Sequence, residues 1–176
     1  MITVDGVQGH LLPGDIDMLR RLARSYPAPV IAEIGSLYGL SAITMAKANP
    51  QSRVYCHDTW GGPPIMESPG DAHSVFMRNV TEAGVSAQIV SVPGDSKESA
   101  AKYRDGTFDL VWIDGDHSEA GCYGDLAAWW PKCSGRFVGH DGRLPEVAAA
   151  VARFAGERGL KFGHHAGTNC IWEVLR

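Results

Sequence analysis

Two carboxylates and an imidazole close one apolar run of this chain, Phe108-Asp109-Leu110-Val111-Trp112-Ile113-Asp114-Gly115-Asp116-His117-Ser118. A second imidazole–carboxylate pair, His140-Asp141, closes the run Gly135-Arg136-Phe137-Val138-Gly139. Residues of these types move protons near neutral pH, hold a cation, or do both. A third run, Val30–Ile34 with Glu33 inside it, opens into the turn Gly35-Ser36-Leu37-Tyr38-Gly39. Glycine in such a turn permits positive φ and lets a ligand approach the backbone closely. The turn is not a GxGxxG fingerprint, because Leu37 stands where the second glycine belongs, and no Gly-Lys-Ser/Thr follows to make a phosphate loop. A dinucleotide pyrophosphate is therefore poorly served. Asp58 closes a further strand about 20 residues beyond the turn, where an acid commonly binds ribose hydroxyls. Gly94-Asp95-Ser96 brings another acid, and Asp95 also suits the N-cap of the helix that follows.

These groups act together only if strands deliver them to one edge. Pro13-Gly14-Asp15 starts a helix with Ile16, Leu19, Leu22 and Ala23 at helical spacing, which Pro27 and Pro29 end. Strand Val30–Ile34, helix Leu40–Ala48 and a strand over 53–57 follow. Three prolines and three glycines make 61–71 the longest irregular stretch, and long loops in compact domains are often functional lids. Beyond it the pattern predicts helix 72–83, strand 87–92 and helix 96–103, then the Asp114 strand. Asp116 and Glu119 form a capping-box pattern for the next helix, whose apolar face is Cys122, Leu126 and Trp129 and which Pro131 ends. After the His140-Asp141 strand, Pro145 starts a helix with Val147, Val151 and Phe154 inward, and 161–176 forms a hairpin around Ala166-Gly167-Thr168. Such alternation argues an α/β fold, a mostly parallel sheet with helices on both faces that binds ligands at the carboxyl ends of its strands.

The 176 residues suit a single domain, 1–176, which buries close to roughly 70% of its unfolded surface. A net charge of −4 gives no electrostatic reason to expect nucleic acid as a partner. The first residues hold no secretory signal, and no apolar run reaches the ~18 residues needed to cross a bilayer. The expectation is a soluble, cytoplasmic protein with no membrane partner. Cys56, Cys122, Cys133 and Cys170 form no CxxC pair, so a zinc cluster is not expected; three of them sit in apolar stretches and suit small core residues in a reducing compartment.

The E-x-G-x-x-x-G-x-S turn from Glu33 to Ser41, the strand-end Asp58, Gly94-Asp95-Ser96, and Ile113-Asp114-Gly115-Asp116-His117-Ser118 occur in an order that resembles class I S-adenosylmethionine-dependent methyltransferases. The details are similar to the metal-dependent O-methyltransferases, above all the group with macrolide-sugar methyltransferases and cephalosporin-hydroxylase-like proteins. The most specific part runs from Asp114 through Trp129-Trp130-Pro131 to His140-Asp141. The resemblance implies a Rossmann-like seven-stranded sheet in the order 3-2-1-4-5-7-6 with strand 7 antiparallel. It implies that Glu33, Gly35 and Tyr38 lie by the methionine end of S-adenosyl-L-methionine, that Asp58 holds its ribose, and that Asp95 and Ser96 flank adenine. Ser36, Gly39, Thr59 and Asp114 complete the cofactor-binding set. Asp114 and Asp141 would ligate a divalent metal with His140 as a third candidate, and His117 would be the general base.

The chemistry agrees. A sulfonium makes its methyl group electrophilic, and an alcohol attacks it well only after losing a proton. A hard cation on carboxylates lowers that pKa while an imidazole takes the proton, and oxygen ligands favour Mg²⁺ or Mn²⁺. His140 departs from the family, whose members tend to carry an acid there. Two carboxylates are a weaker set for Mg²⁺, so His140 either ligates Mn²⁺ or a similar ion or points away and leaves the site metal-free. Trp60 suits a place over cofactor or substrate, Trp129 and Trp130 suit the core, and His164-His165 suit solvent. The segment 60–73 is the lid expected to choose the acceptor, a small molecule such as a sugar or secondary metabolite. The short N-terminal stretch leaves the acceptor site open or completed by a second subunit in a homo-oligomer. Two other functions fit parts of the pattern. A metal-dependent hydrolase would use Asp114, Asp116, His117, His140 and Asp141 as its cluster, leaving Asp58 and the glycine turn unexplained. A non-catalytic S-adenosylmethionine-binding module would bind the cofactor without turnover.

Overall fold

Alternation along the central strands decides the layers. In the computed structural model, Leu110 and Trp112 of strand β6 (Phe108–Ile113) pack on one face of a sheet, and Val111 and Ile113 on the other. All four are buried, as expected for a parallel strand covered on both sides. The structure describes residues 2–4, 6–61, 72–168 and 170–175.

A small antiparallel hairpin, β1 (Ile2–Val4) and β2 (Val7–Gly9), comes first, then helix α1 (Pro13–Ala23). The main sheet holds β3 (Val30–Ile34), β4 (Arg53–Asp58), β5 (Ile89–Pro93), β6, β7 (Cys133–Gly139), β8 (Lys161–His164) and β9 (Trp172–Leu175). Its order is β5-β4-β3-β6-β7-β9-β8. Counted within the sheet this is 3-2-1-4-5-7-6, with the last strand antiparallel to both neighbours, as expected. Helices α1, α2 (Leu40–Ala48) and α3 (Ala72–Glu82) cover one face, with Leu19, Met45 and Phe76 against Ile31 and Val54. On the other, α5 (Glu119–Trp129) and α6 (Pro145–Glu157) bring Leu126, Trp129 and Phe154 against Phe108 and Phe137.

Several boundaries differ from the sequence pattern. Helix α4 covers only Ser96–Ala100, because Lys102 and Tyr103 turn back on Ser99 and Ala100. The N-cap of α5 is Ser118, whose hydroxyl accepts from the Gly121 N–H; Asp116 instead accepts from the Ser118 N–H, one step ahead of the helix. The N-terminal hairpin was not expected; the signal that could have shown it is Val-Asp-Gly-Val, a two-residue turn signature, with Gly6 at φ +82°. His165, expected in solvent, is half-buried with Nε2 2.9 Å from Glu173 Oε2. Residues 62–71, most of the expected lid, lie outside the described residues. Among the described residues no helix is long and apolar enough to cross a membrane.

Candidate active site

The parallel strands end together at one edge, and there a cavity of about 760 Å³ opens, lined by residues that follow β3, β4, β5, β6 and β7. This is the crevice that an open parallel sheet offers a ligand. Among the described residues three non-glycine residues have positive φ, Leu37 (46°), Trp60 (47°) and Asp141 (55°), and all three line this cavity. A left-handed conformation costs roughly 1–2 kcal/mol at such residues, and it persists where the surroundings dictate it.

Asp58 supplies much of that dictation at the glycine turn. Its Oδ2 accepts the backbone N–H groups of Ser36 and Leu37, each at 2.8 Å, and its Oδ1 accepts that of Trp60 at 2.7 Å. The Trp60 indole N–H donates to the Leu37 carbonyl at 2.8 Å, which closes the clasp. Behind the turn, Glu33 is fully buried, and its Oε2 accepts from the Ser36 hydroxyl at 2.5 Å, with Ser41 and Cys56 also close enough to act on the carboxylate. Burial pushes the Glu33 carboxyl up to about 7, a rise that the Ser36 hydroxyl restrains. Gly35, Leu37, Tyr38, Asp58, Thr59, Asp95, Ser96 and Asp114 lie on the cavity wall. Glu33, Ser36 and Gly39 do not; they shape the turn from behind.

At the neighbouring strand ends, His117 Nε2 stands 2.9 Å from Asp141 Oδ2 and 3.7 Å from Asp114 Oδ1. His140 is buried, with Nδ1 3.3 Å from Asp141 Oδ2 and 3.7 Å from Asp114 Oδ1. Hydrogen bonding to Asp114 and then Asp141 raises His117 to about 10 against the opposing effect of burial. The same bonds, from His117 and then His140, hold Asp141 well below the usual carboxylate range. Asp114 moves the other way, because burial outweighs its bond to His117. One ligand atom from each of Asp114, His117 and Asp141 lies within 4.8 Å of the others, so these side chains fit a divalent ion. Two oxygens and an imidazole nitrogen suit Mn²⁺ and its neighbours better than Mg²⁺, and a His117 Nε2 bound to such an ion is not free to act as a base, so it serves one role or the other.

Asp95 caps α4, accepting from the Lys97 N–H at 2.8 Å and the Glu98 N–H at 3.1 Å, and the latter bond is the main cause of its lowered pKa. Ser96 donates its hydroxyl to the buried Asp125 carboxylate, which the sequence reasoning missed. Its signal was an acid at the inward spacing of α5, between Cys122 and Leu126. Gln8, His10 and Leu11 also border the cavity and were not expected there. Trp60 packs on His73 and Phe76 at ring separations of 4.4 and 5.0 Å.

His57 lies beneath the wall. It is fully buried against Trp129 and Tyr103, and neither ring nitrogen has a hydrogen-bond partner among the described residues. Burial, helped by the charge of Lys102, lowers it from 6.5 to about 4. As pH falls, the unfolded chain therefore takes up this proton first. Stability is full above pH 6.5 and is lost between 6.5 and 4, by up to about 3 kcal/mol. His57→Phe is expected to flatten that slope. Urea midpoints at pH 5 and pH 8 check it, and an undiminished gap between them rules His57 out as the cause.

A methyltransferase-domain family model matches residues 32–141, and no curated protein sequence matches. Among solved structures, the cofactor-bound Rv0187 protein from MTB superposes with a TM-score of 0.73 at 22% identity, over 97% of this chain and 84% of that one. TomG from Streptomyces achromogenes, an O-methyltransferase involved in tomaymycin synthesis and solved with SAM, gives 0.71 at 20% identity over 94% and 81%. An O-methyltransferase from Bacillus cereus in complex with SAH gives 0.72 at 16% identity, again over 94% and 81%. The sheet order and layers are those of the class I S-adenosylmethionine-dependent methyltransferase fold. The chain belongs to the methyltransferase-domain family and is a methyltransferase.

Proposed function

We propose that this protein transfers the methyl group of S-adenosylmethionine to a hydroxyl of a small polar acceptor, a sugar or secondary metabolite. The observation that carries this reading is one cavity holding both the clasped turn at Gly35 and the Asp114–His117–Asp141 cluster. Its volume lies within the roughly 300–1,000 Å³ of small-molecule and cofactor sites. The bound SAM and SAH of TomG and the Bacillus cereus enzyme support the cofactor. S-adenosylmethionine brings an electrophilic methyl on a positively charged sulfur. The edges of Gly35, Leu37 and Tyr38 face its methionine end, with Glu33, Ser36 and Gly39 holding the turn in shape. Asp58 and Thr59 take the ribose, and Asp95 and Ser96 flank the adenine.

At the acceptor end, His117 takes the hydroxyl proton on Nε2, and Asp141 and Asp114 fix the direction of that nitrogen. Pairing with both carboxylates raises the His117 pKa and opposes its acting as a base. A divalent ion held by Asp114 and Asp141, with His140 as a further donor, would lower the hydroxyl pKa and neutralise the two carboxylates that raise it. The cluster alone would also suit metal-dependent hydrolysis, but hydrolysis has no use for a turn clasped by Asp58. Four free, buried thiols suit the reducing cytoplasm we assign it to.

Calorimetric titration with S-adenosylhomocysteine, with and without Mn²⁺, tests the cofactor. Micromolar binding is expected, and no binding under either condition ends the methyltransferase reading of this cavity. Asp58→Ala is expected to weaken that binding by ~1–3 kcal/mol, since it strands three backbone donors as well as the ribose. Wild-type affinity in the variant would remove Asp58 from the site.

A further inference from the structure

Asp141 faces two ways. Its Oδ2 meets His117 and His140 Nδ1 on the cavity side, while its Oδ1 lies 3.7 Å from the thiol of Cys170. Cys170 Sγ is also 3.4 Å from His140 Nε2. We propose that His140, Asp141 and Cys170 form a second metal site, which takes a thiophilic divalent ion of the zinc class and shares Asp141 with the cavity cluster.

The geometry is that of a small tetrahedral centre. One ligand atom from each of the three residues lies within 4.8 Å of the others. A zinc ion with Zn–S of about 2.3 Å and Zn–N of about 2.0–2.1 Å places sulfur and nitrogen about 3.5 Å apart across a tetrahedral edge. The observed 3.4 Å meets that without rearrangement. The donors, a thiol, an imidazole and a carboxylate, select zinc or cobalt over magnesium, which prefers oxygen alone. A second carboxyl stands by: Asp15 of α1, fully buried, has Oδ2 3.3 Å from the same His140 nitrogen and offsets the charge of an ion placed there. The three ligands leave the fourth position open.

The backbone holds these groups in place before any ion arrives. The Gly142 N–H donates to the Cys170 carbonyl at 2.9 Å, and the Trp172 indole donates to the His140 carbonyl at 2.8 Å. The end of β7 and the segment leading into β9 are therefore stitched together on either side of the ligands. A Cβ on Gly142 would stand 2.8 Å from both His164 Nε2 and the Trp172 ring, so this approach needs glycine. Access comes from a second cavity of about 430 Å³, lined by Cys170, His164 and His165, whereas His140 and Asp141 line the main one. The three ligands thus form the partition between the two cavities.

Cobalt(II) is the probe, because a thiolate ligand gives it an intense near-ultraviolet charge-transfer absorption that oxygen and nitrogen ligands do not. Wild-type protein titrated with Co²⁺ is expected to develop this absorption and to lose it when Zn²⁺ is added. It should vanish in Cys170→Ser and remain in His117→Ala, since His117 belongs to the cavity cluster only. Zinc affinity in Cys170→Ser should fall by more than the roughly 10–100-fold that losing a hydrogen-bond partner of a metal ligand costs. Absence of the absorption from wild type, its persistence in Cys170→Ser, or its disappearance in His117→Ala would each overturn the proposal. A measurement on the unmodified protein guards against a variant that does not fold: zinc K-edge X-ray absorption of the zinc-loaded wild type. A sulfur ligand at about 2.3 Å is expected, and a shell of oxygen and nitrogen alone would count equally against the site. Neither readout depends on methyl transfer, so failure here leaves that reading standing, and the converse also holds.

Discussion

His117→Ala is expected to slow methyl transfer by roughly 10²–10⁴-fold, the usual loss when a positioned general base is removed. The expectation follows from position. His117 sits just before α5 on the segment leaving β6, and it is the half-exposed member of a cluster whose other imidazole is buried. Both imidazoles border the cavity and touch the two carboxylates, and the half-exposed His117 is the one with room to meet an acceptor. Replacing it leaves the glycine turn and its clasp intact, because no hydrogen bond of Asp58 involves this residue. S-adenosylhomocysteine affinity should therefore stay within about twofold while turnover collapses. Single-turnover kinetics beside calorimetry separate these quantities. Full turnover in the variant would move the base elsewhere, and a parallel loss of cofactor affinity would make His117 a binding residue instead. Imidazole added to the variant should restore part of the rate, a rescue that a purely structural role would not show.

The strand-end chemistry was legible because it is local. An apolar run that stops at Asp114, Asp58 or Asp141 names its own edge, and helices between the runs force the strands into parallel. The order of the late strands came with the resemblance to the methyltransferases, and the terminal hairpin suits it, since a hairpin partner runs antiparallel. Contacts between residues far apart in sequence were not legible. Asp58 looks like a ribose ligand in sequence, yet its carboxylate also binds the backbone of a turn more than 20 residues earlier. Asp15 reads as a helix-start acid, and it does accept from the Leu12 N–H at 2.9 Å, but the same oxygen also reaches His140. Cys170 reads as a core thiol and lies beside the cluster. His57, an ordinary strand residue by pattern, has no polar partner for its ring among the described residues. In each case the side chain's chemistry was visible and its neighbour was not.

Gly35→Ala should destabilise the protein by roughly 2–6 kcal/mol, combining a left-handed backbone forced on alanine with overpacking against a rigid neighbour. Gly35 has φ +85°, and a Cβ there would stand 2.1 Å from the Asp114 carbonyl oxygen and 2.6 Å from its carbon. Neither atom can give way easily. The Asp114 N–H donates to the Ile34 carbonyl at 2.8 Å, and the Gly35 N–H donates to the His57 carbonyl at 2.8 Å. Three strand ends are thus locked together at this glycine, and any relief must shift the segment that carries Asp114 and His117. The substitution should therefore weaken the cofactor site and the acceptor cluster at once. Leu37, also left-handed two residues on, lines the cavity and donates its N–H to Asp58. Leu37→Gly should accordingly relieve its local strain and leave the Asp114 segment in place. Urea denaturation of both variants, read with S-adenosylhomocysteine affinity, makes the comparison. A mild Gly35→Ala, no worse than Leu37→Gly, would mean that the turn tolerates displacement and that close packing of β3 on β6 does not set the geometry of the site.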